Sequence, residues 1–192
     1  MSYRLLFALS LLAAGCSGST LKPVAEVAGD AQFLALVDGD DPGDATDDDV
    51  PEMVRLRDFS ADNRPGTKLI MLVAAAGWCG PCQVEASALS AFAADYKKRG
   101  VVVLTALIED AQSKPATVAF ARLWAHEFSV TVPLLIDSDF QTASYVDLNA
   151  MPTSVIIDAK TMSIRQTGVG ADTGSDPLGK YRALLDRELS SL

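Results

Sequence analysis

Apolar residues along the chain gather into runs of different periodicity. Residues 68–75 and 101–108 are apolar almost without a break. Runs of that length predict strands buried on both faces. Residues 54–59, Val-Arg-Leu-Arg-Asp-Phe, alternate as a half-buried strand would. Between them the period changes. Val84, Ala88, Leu89, Phe92 and Tyr96 recur at helical spacing, which predicts a helix over 81–99 that Gly100 stops. A second helix is expected over 116–128, with Val118, Phe120, Leu123 and Trp124 marking its apolar face, and a last one over 178–189. Residues 132–136 read as a short strand and 140–148 as a small helix. Residues 154–157 and 163–167 read as an antiparallel pair turning at Asp158-Ala159-Lys160. Strands alternating with helices predict an α/β domain, its sheet flanked by helices on both faces.

The first fifty residues do not follow these patterns. Leu5 to Ala14 is an apolar run of ten residues after Arg4. It is too short to span a bilayer, which takes roughly 20 residues, but it has the length of a signal-peptide core. The run ends in Ala13-Ala14-Gly15-Cys16, which resembles a bacterial lipoprotein processing site. Residues 1–15 are therefore expected to be a removed leader, with Cys16 carrying the lipid. The alternative is an ordinary secretory leader followed by a chance cysteine. Ser17 after the cysteine favours the outer membrane, by resemblance to known sorting. Residues 16–50 are expected to form a flexible acidic tether. Seven aspartates between Asp38 and Asp49 repel one another and leave little to bury. A calcium loop is the sharper alternative, but Pro42 breaks the EF-hand spacing. The apolar stretch Phe33-Leu34-Ala35-Leu36-Val37 fits either a link or a segment packed on the domain. The domain itself is placed at 51–192.

Composition narrows the chemistry. The net charge of −9 argues against nucleic acid as a partner. The chain has three cysteines and one histidine. With Cys16 lipidated, Cys79, Cys82 and His126 cannot complete a four-ligand zinc site without carboxylates. Export favours an environment in which disulfides persist. The remaining pair is expected to be redox-active, with neither metal nor cofactor; His126 reads as a surface or packing residue.

The pair lies in Trp78-Cys79-Gly80-Pro81-Cys82, directly after a buried strand and opening a helix. A thiolate is the attacking species in disulfide exchange. A cysteine at a helix start meets unpaired backbone N–H groups and the positive end of the helix dipole, and both favour the thiolate. Pro81 suits the first helical turn, where its missing N–H costs nothing. Gly80 leaves room for a partner chain. Two residues of spacing let Cys82 reach the Cys79 sulfur. Cys79 is expected to be the exposed attacker and Cys82 the buried resolving thiol.

The segment 69–82 resembles the thioredoxin superfamily, whose signature is this WCGPC. The longer stretch 52–192 resembles its extracytoplasmic TlpA/ResA-like branch, related to the AhpC/TSA redoxins. It does so through Glu85, the Lys97-Lys98-Arg99-Gly100-Val101 join, the inserted helix, Val132-Pro133-Leu134-Leu135-Ile136-Asp137 and Met151-Pro152-Thr153-Ser154. The resemblance implies a thioredoxin-like fold with a central mixed sheet. It implies that Pro152 is a cis-proline facing the cysteines and that Met151 lines a groove for an extended client. Trp78 would shield the pair, with plain core packing as the alternative. Glu85 would tune the cysteines, the alternative being a solvent-facing charge. One position departs: thioredoxin's buried acid, six residues before the first cysteine, is here Val73. Glu85 or water is left to take the Cys82 proton.

The expected function is reduction of protein disulfides at the periplasmic face of a membrane, with recharging by a membrane electron donor. A disulfide-forming oxidase of the same fold is the alternative. A thiol peroxidase needs a proline where Leu72 stands. A non-enzymatic binding module would have no need to keep both cysteines and the facing proline.

Overall fold

The structure is a computed structural model and describes residues 31–37, 50–172 and 174–192. The leader, Cys16 and the aspartate run lie outside these residues. Seven strands form one mixed sheet among the described residues: β1 (Gln32–Leu36), β2 (Pro51–Arg55), β3 (Leu69–Ala76), β4 (Val101–Glu109), β5 (Leu134–Ile136), β6 (Thr153–Asp158) and β7 (Ile164–Val169), in the order β2-β1-β5-β4-β3-β6-β7. The central β3 pairs parallel to β4 and antiparallel to β6. Three α-helices follow the expected positions: α1 (Gly80–Lys97), α2 (Val118–Phe128) and α3 (Gly179–Ser190).

Two successive parallel connections, β3-α1-β4 and β4-α2-β5, must turn with the same hand and so lie on the same face. α3 joins them. One core under these helices unites Leu69, Met71, Val73 and Ala75 of β3 with Leu89 and Phe92 of α1, Trp124 of α2 and Tyr181 and Leu185 of α3. The opposite face packs Ile70, Leu72, Leu104, Val155 and Ile157 under Leu56, Phe59, Tyr145 and Met162. Its helical cover is short, chiefly a 3-10 helix at Leu56–Phe59, so helices flank both faces but very unequally.

Four sequence expectations are corrected. The domain does not begin at residue 51. β1 pairs with both β2 and β5, and it buries Phe33, Ala35 and Val37 on one side of the sheet and Leu36 on the other. Five residues are enough for a strand that is paired on both edges, even beside an acidic run. Residues 56–59 are not strand. The Asp58 carboxylate accepts the Arg55 N–H at 2.7 Å and turns the chain, so that Leu56 and Phe59 point inward together. The apolar faces of α1 and α2 are rotated slightly from expectation: Val84 and Leu123 are exposed, whereas Glu85, Ala86, Ala121 and Ala125 are buried. The small helix expected over 140–148 shrinks to a 3-10 turn at Gln141–Ser144.

Candidate active site

β3 runs through the centre of the sheet and delivers Trp78 and Cys79 to the start of α1. The intervening turn is tightly held. The Gly77 N–H donates to the Glu109 carbonyl at 2.8 Å, the Cys79 N–H to the Ala76 carbonyl at 3.1 Å, and the Gln83 side-chain amide to the Gly77 carbonyl at 2.8 Å. A Cβ on Gly77 would lie 2.5 Å from the Ala111 backbone nitrogen, so no larger residue fits where β3 passes the end of β4.

Cys79 is the N-cap of α1, in extended backbone conformation, and its sulfur accepts the Cys82 N–H at 3.2 Å. Pro81 occupies the first turn. Cys79 and Cys82 are joined by a disulfide, with Cα atoms 5.2 Å apart. The expected contrast in exposure is absent: Cys79 is 4 % exposed and Cys82 2 %. The Cys79 sulfur lies at the first turn of the helix. Its neighbours are the accessible part of the motif. Gly80 and Pro81 are exposed, and open space lies where a Gly80 side chain would start.

Trp78 is not core. It is 44 % exposed, and its indole N–H donates to the Glu109 carboxylate at 2.6 Å. The ring is thus fixed at the edge of the pair rather than left free. Glu109 carried no motif in the sequence. Only its place, at the end of the strand beside β3, could have drawn notice.

The Met151–Pro152 peptide bond is cis. The register sets Thr153 of β6 opposite Ala74 of β3, which brings Pro152 level with the end of β3 and the turn into Cys79. Pro152 is buried, and Met151 packs, half-buried, against the core that contains both cysteines.

Glu85 is buried at 3 % exposure, one turn after Cys82. Side chains three apart on a helix lie about 5–6 Å from each other at Cβ. The solvent-facing alternative is therefore excluded. Tyr181 donates its hydroxyl to Glu85 Oε2 at 2.7 Å, and Lys180 Nζ stands 3.5 Å from Oε1. Burial pushes the Glu85 carboxyl above its ordinary value, and Tyr181 and Lys180 pull it back only in part. Burial, with the Glu85 charge beside it, pushes the Tyr181 hydroxyl well above its ordinary value, so it stays a donor. Val73 lies in register with Ser154. A buried acid is thus present on this face of the sheet, carried by α1 rather than by β3. Tyr181 and Lys180 were not anticipated. A tyrosine in the apolar stripe Leu178, Tyr181, Leu185 is the available signal, because a buried hydroxyl needs a partner. His126 is exposed on α2.

A family model described as the AhpC/TSA family matches residues 43–166, more than half of the chain, and the chain belongs to that family. The thiol-disulfide oxidoreductase ResA of Geobacillus kaustophilus (strain HTA426) is 29% identical over 99 residues, 52% of this chain and 53% of that relative. The chain thus spans about half the length of the relative it matches. Among solved structures, a protein of Chlorobium tepidum assigned as the thiol:disulfide interchange protein DsbE has a TM-score of 0.56 at 22% identity, over 82% of this chain and 92% of its own. The AhpC of Enterococcus faecalis has a TM-score of 0.59 at 16% identity, over 84% and 89%. Identities this low establish the thioredoxin-like fold alone.

Proposed function

We propose that this member of the AhpC/TSA family is an extracytoplasmic thiol–disulfide oxidoreductase that reduces disulfides in client proteins. The observation that carries the reading is the Cys79–Cys82 disulfide at the start of α1, with the cis Met151–Pro152 bond beside it. A peroxidase needs one peroxidatic thiol; here two thiols one helical turn apart make a reversible couple.

In the reduced form the Cys79 thiolate, favoured at the helix start, attacks one sulfur of a client disulfide. A Cys79–client bond forms and the other client sulfur leaves as a thiolate. Glu85 takes the Cys82 proton, and the Cys82 sulfur attacks Cys79. The mixed disulfide breaks, the second client thiolate leaves, and the Cys79–Cys82 disulfide remains. The client gains two electrons and this chain loses them. A membrane electron donor returns them in the next cycle. Met151 and Pro152 present an edge to an extended client strand, and Trp78 gives it an apolar contact. The role of Cys16 as a lipid anchor at the periplasmic face, with the outer membrane favoured, belongs to the same proposal, as does the tether that follows it.

The test is the reduction potential of the full chain in dithiol buffers, followed through tryptophan fluorescence. A value near about −270 mV or lower is expected of a reductase. A value near about −120 mV would reverse the direction, as for a disulfide-forming oxidase. Cys82→Ser should trap client proteins in mixed disulfides at Cys79, and failure to trap any would remove the protein client from the reading.

A further inference from the structure

Glu85 has two carboxylate oxygens in unlike settings. Oε2 accepts the Tyr181 hydroxyl at 2.7 Å. Oε1 is buried and makes no hydrogen bond among the described residues, and neither does the buried Lys180 Nζ that stands 3.5 Å from it. The ammonium pairs with Oε1 by charge at that distance, while the tyrosine hydroxyl occupies the other oxygen. Lys180 also lies over the Tyr181 ring, 4.6 Å from the centroid, so the two residues hold each other in place. Both sit in the first turn of α3, whose backbone start is fixed from outside: Asp172 accepts the Lys180 N–H at 2.9 Å and the Gly174 N–H at 2.8 Å.

We propose that Lys180 and Tyr181 are positioning residues of the exchange reaction, holding Glu85 ionised and aimed so that Oε1 receives the Cys82 proton. The inference rests on the reading of Glu85 as proton acceptor and adds to it the receiving atom and the groups that prepare it. The reasoning is electrostatic. A carboxylate taken out of water favours its protonated form, and a protonated Glu85 can accept nothing from Cys82. A donor on Oε2 and a cation beside Oε1 both favour the carboxylate. The donor takes Oε2 and leaves the ammonium at Oε1. The remaining charged neighbour, Asp172, opposes them. Ser154, facing Tyr181 from β6, is neutral. On transfer the Cys82 S–H bond breaks, an O–H bond forms at Oε1, and the sulfur lone pair is released to attack Cys79. No electrons leave the chain in this step.

The experiment is stopped-flow reaction of the reduced full chain with an aromatic disulfide, dithiobis-nitrobenzoate. The second thionitrobenzoate released reports attack of Cys82 on the mixed disulfide at Cys79. Glu85→Gln is expected to remove an inflection from the pH profile of this step. Tyr181→Phe and Lys180→Met are each expected to keep the inflection and move it up by about one pH unit, which near the inflection slows the step up to about tenfold. The rate at high pH should be retained, and Lys180→Arg should restore the wild-type profile. Unshifted profiles in both variants, with the Glu85→Gln effect intact, would overturn this inference and leave the role of Glu85 standing. Uniform slowing at every pH would also overturn it, since loosened packing alone does that. A wild-type profile in Glu85→Gln would overturn the underlying reading and the inference with it. Two variants on neighbouring residues keep the test open if one of them fails to fold.

Discussion

Glu85 and Asp137 are both buried carboxylates, at 3 % and 0 % exposure, and they are treated in opposite ways. Asp137 directly follows β5 and faces the next 3-10 turn. One of its oxygens accepts the Gln141 N–H at 2.7 Å; the other accepts the Thr142 N–H at 2.9 Å and the Thr142 hydroxyl. Both oxygens are occupied by local donors, as in a cap. Glu85 has one hydrogen bond, from a residue 96 positions away, and an ion pair with Lys180 at 3.5 Å. Removal from water costs either group several kcal/mol in the absence of compensation. Asp137 is compensated by short-range geometry and Glu85 only in part. Burial therefore does not mark a working acid. On the role proposed for Glu85, what marks it is an oxygen with no N–H or O–H donor of its own turn, on the helix that carries the thiol to be deprotonated.

The comparison breaks most visibly at Asp137. Asp137→Ala leaves two backbone donors and a buried hydroxyl without their acceptor. A loss of about 3 kcal/mol in urea unfolding is expected. The potential of the Cys79–Cys82 couple should stay where it is, because nothing at Asp137 touches the sulfurs. A loss under about 1 kcal/mol would mean that the turn does not depend on its cap, and a changed potential would mean that the two carboxylates are not separate in function.

A second, smaller effect separates them by pH. The folded-state value of Glu85 lies above its ordinary 4.5. The folded chain thus holds that proton more tightly than the unfolded chain does. The stabilisation from this proton is fully present below 4.5 and is lost as pH rises through the folded value. Compared with Glu85→Gln, the wild type should therefore become steadily less stable as pH rises from 4.5, by thermal unfolding at matched ionic strength. A difference that stayed flat, or grew in favour of the wild type, would show that Tyr181 and Lys180 outweigh burial.

These two acids also show what a sequence can reveal. Glu85 stood one helical turn from Cys82, and that spacing was readable. Its partners were not. Tyr181 and Lys180 meet it only because α3 returns to the face that α1 covers, a matter of topology and not of local pattern. The WCGPC pair and the central strands were legible because their signals are local: a strand of unbroken apolar residues, a proline at the helix start, a fixed spacing. The cis bond at Pro152 came from resemblance, since spacing alone does not select it. β1 was left undecided because an apolar run of five residues has no period of its own to oppose the acidic residues after it. Only pairing with β2 and β5 makes it a strand. The burial of Cys79 had no signal in the sequence, where the motif shows both cysteines alike.

Glu109 offers the smallest and sharpest test of which contacts belong to the reaction. It is a third carboxylate, half-exposed, and it holds the Trp78 indole at 2.6 Å across the mouth of the site. Unlike Glu85 it is not proposed as a proton acceptor. Unlike Asp137 it closes no turn with its side chain; its carbonyl, which binds the Gly77 N–H, survives substitution. Glu109→Gln keeps an acceptor but removes the charge that strengthens the bond, a change of about 0.5–1 kcal/mol. If Trp78 is a contact surface for the client, KM for a protein disulfide should rise about threefold, in keeping with that energy, with kcat and the potential unchanged. In a Trp124→Phe background, tryptophan fluorescence anisotropy should fall as the Trp78 ring loosens. A looser ring with an unchanged KM would remove Trp78 from the client groove and leave it a cover for the cysteines. A changed kcat would instead tie Glu109 to the chemistry, and the division of labour between the carboxylates would have to be redrawn.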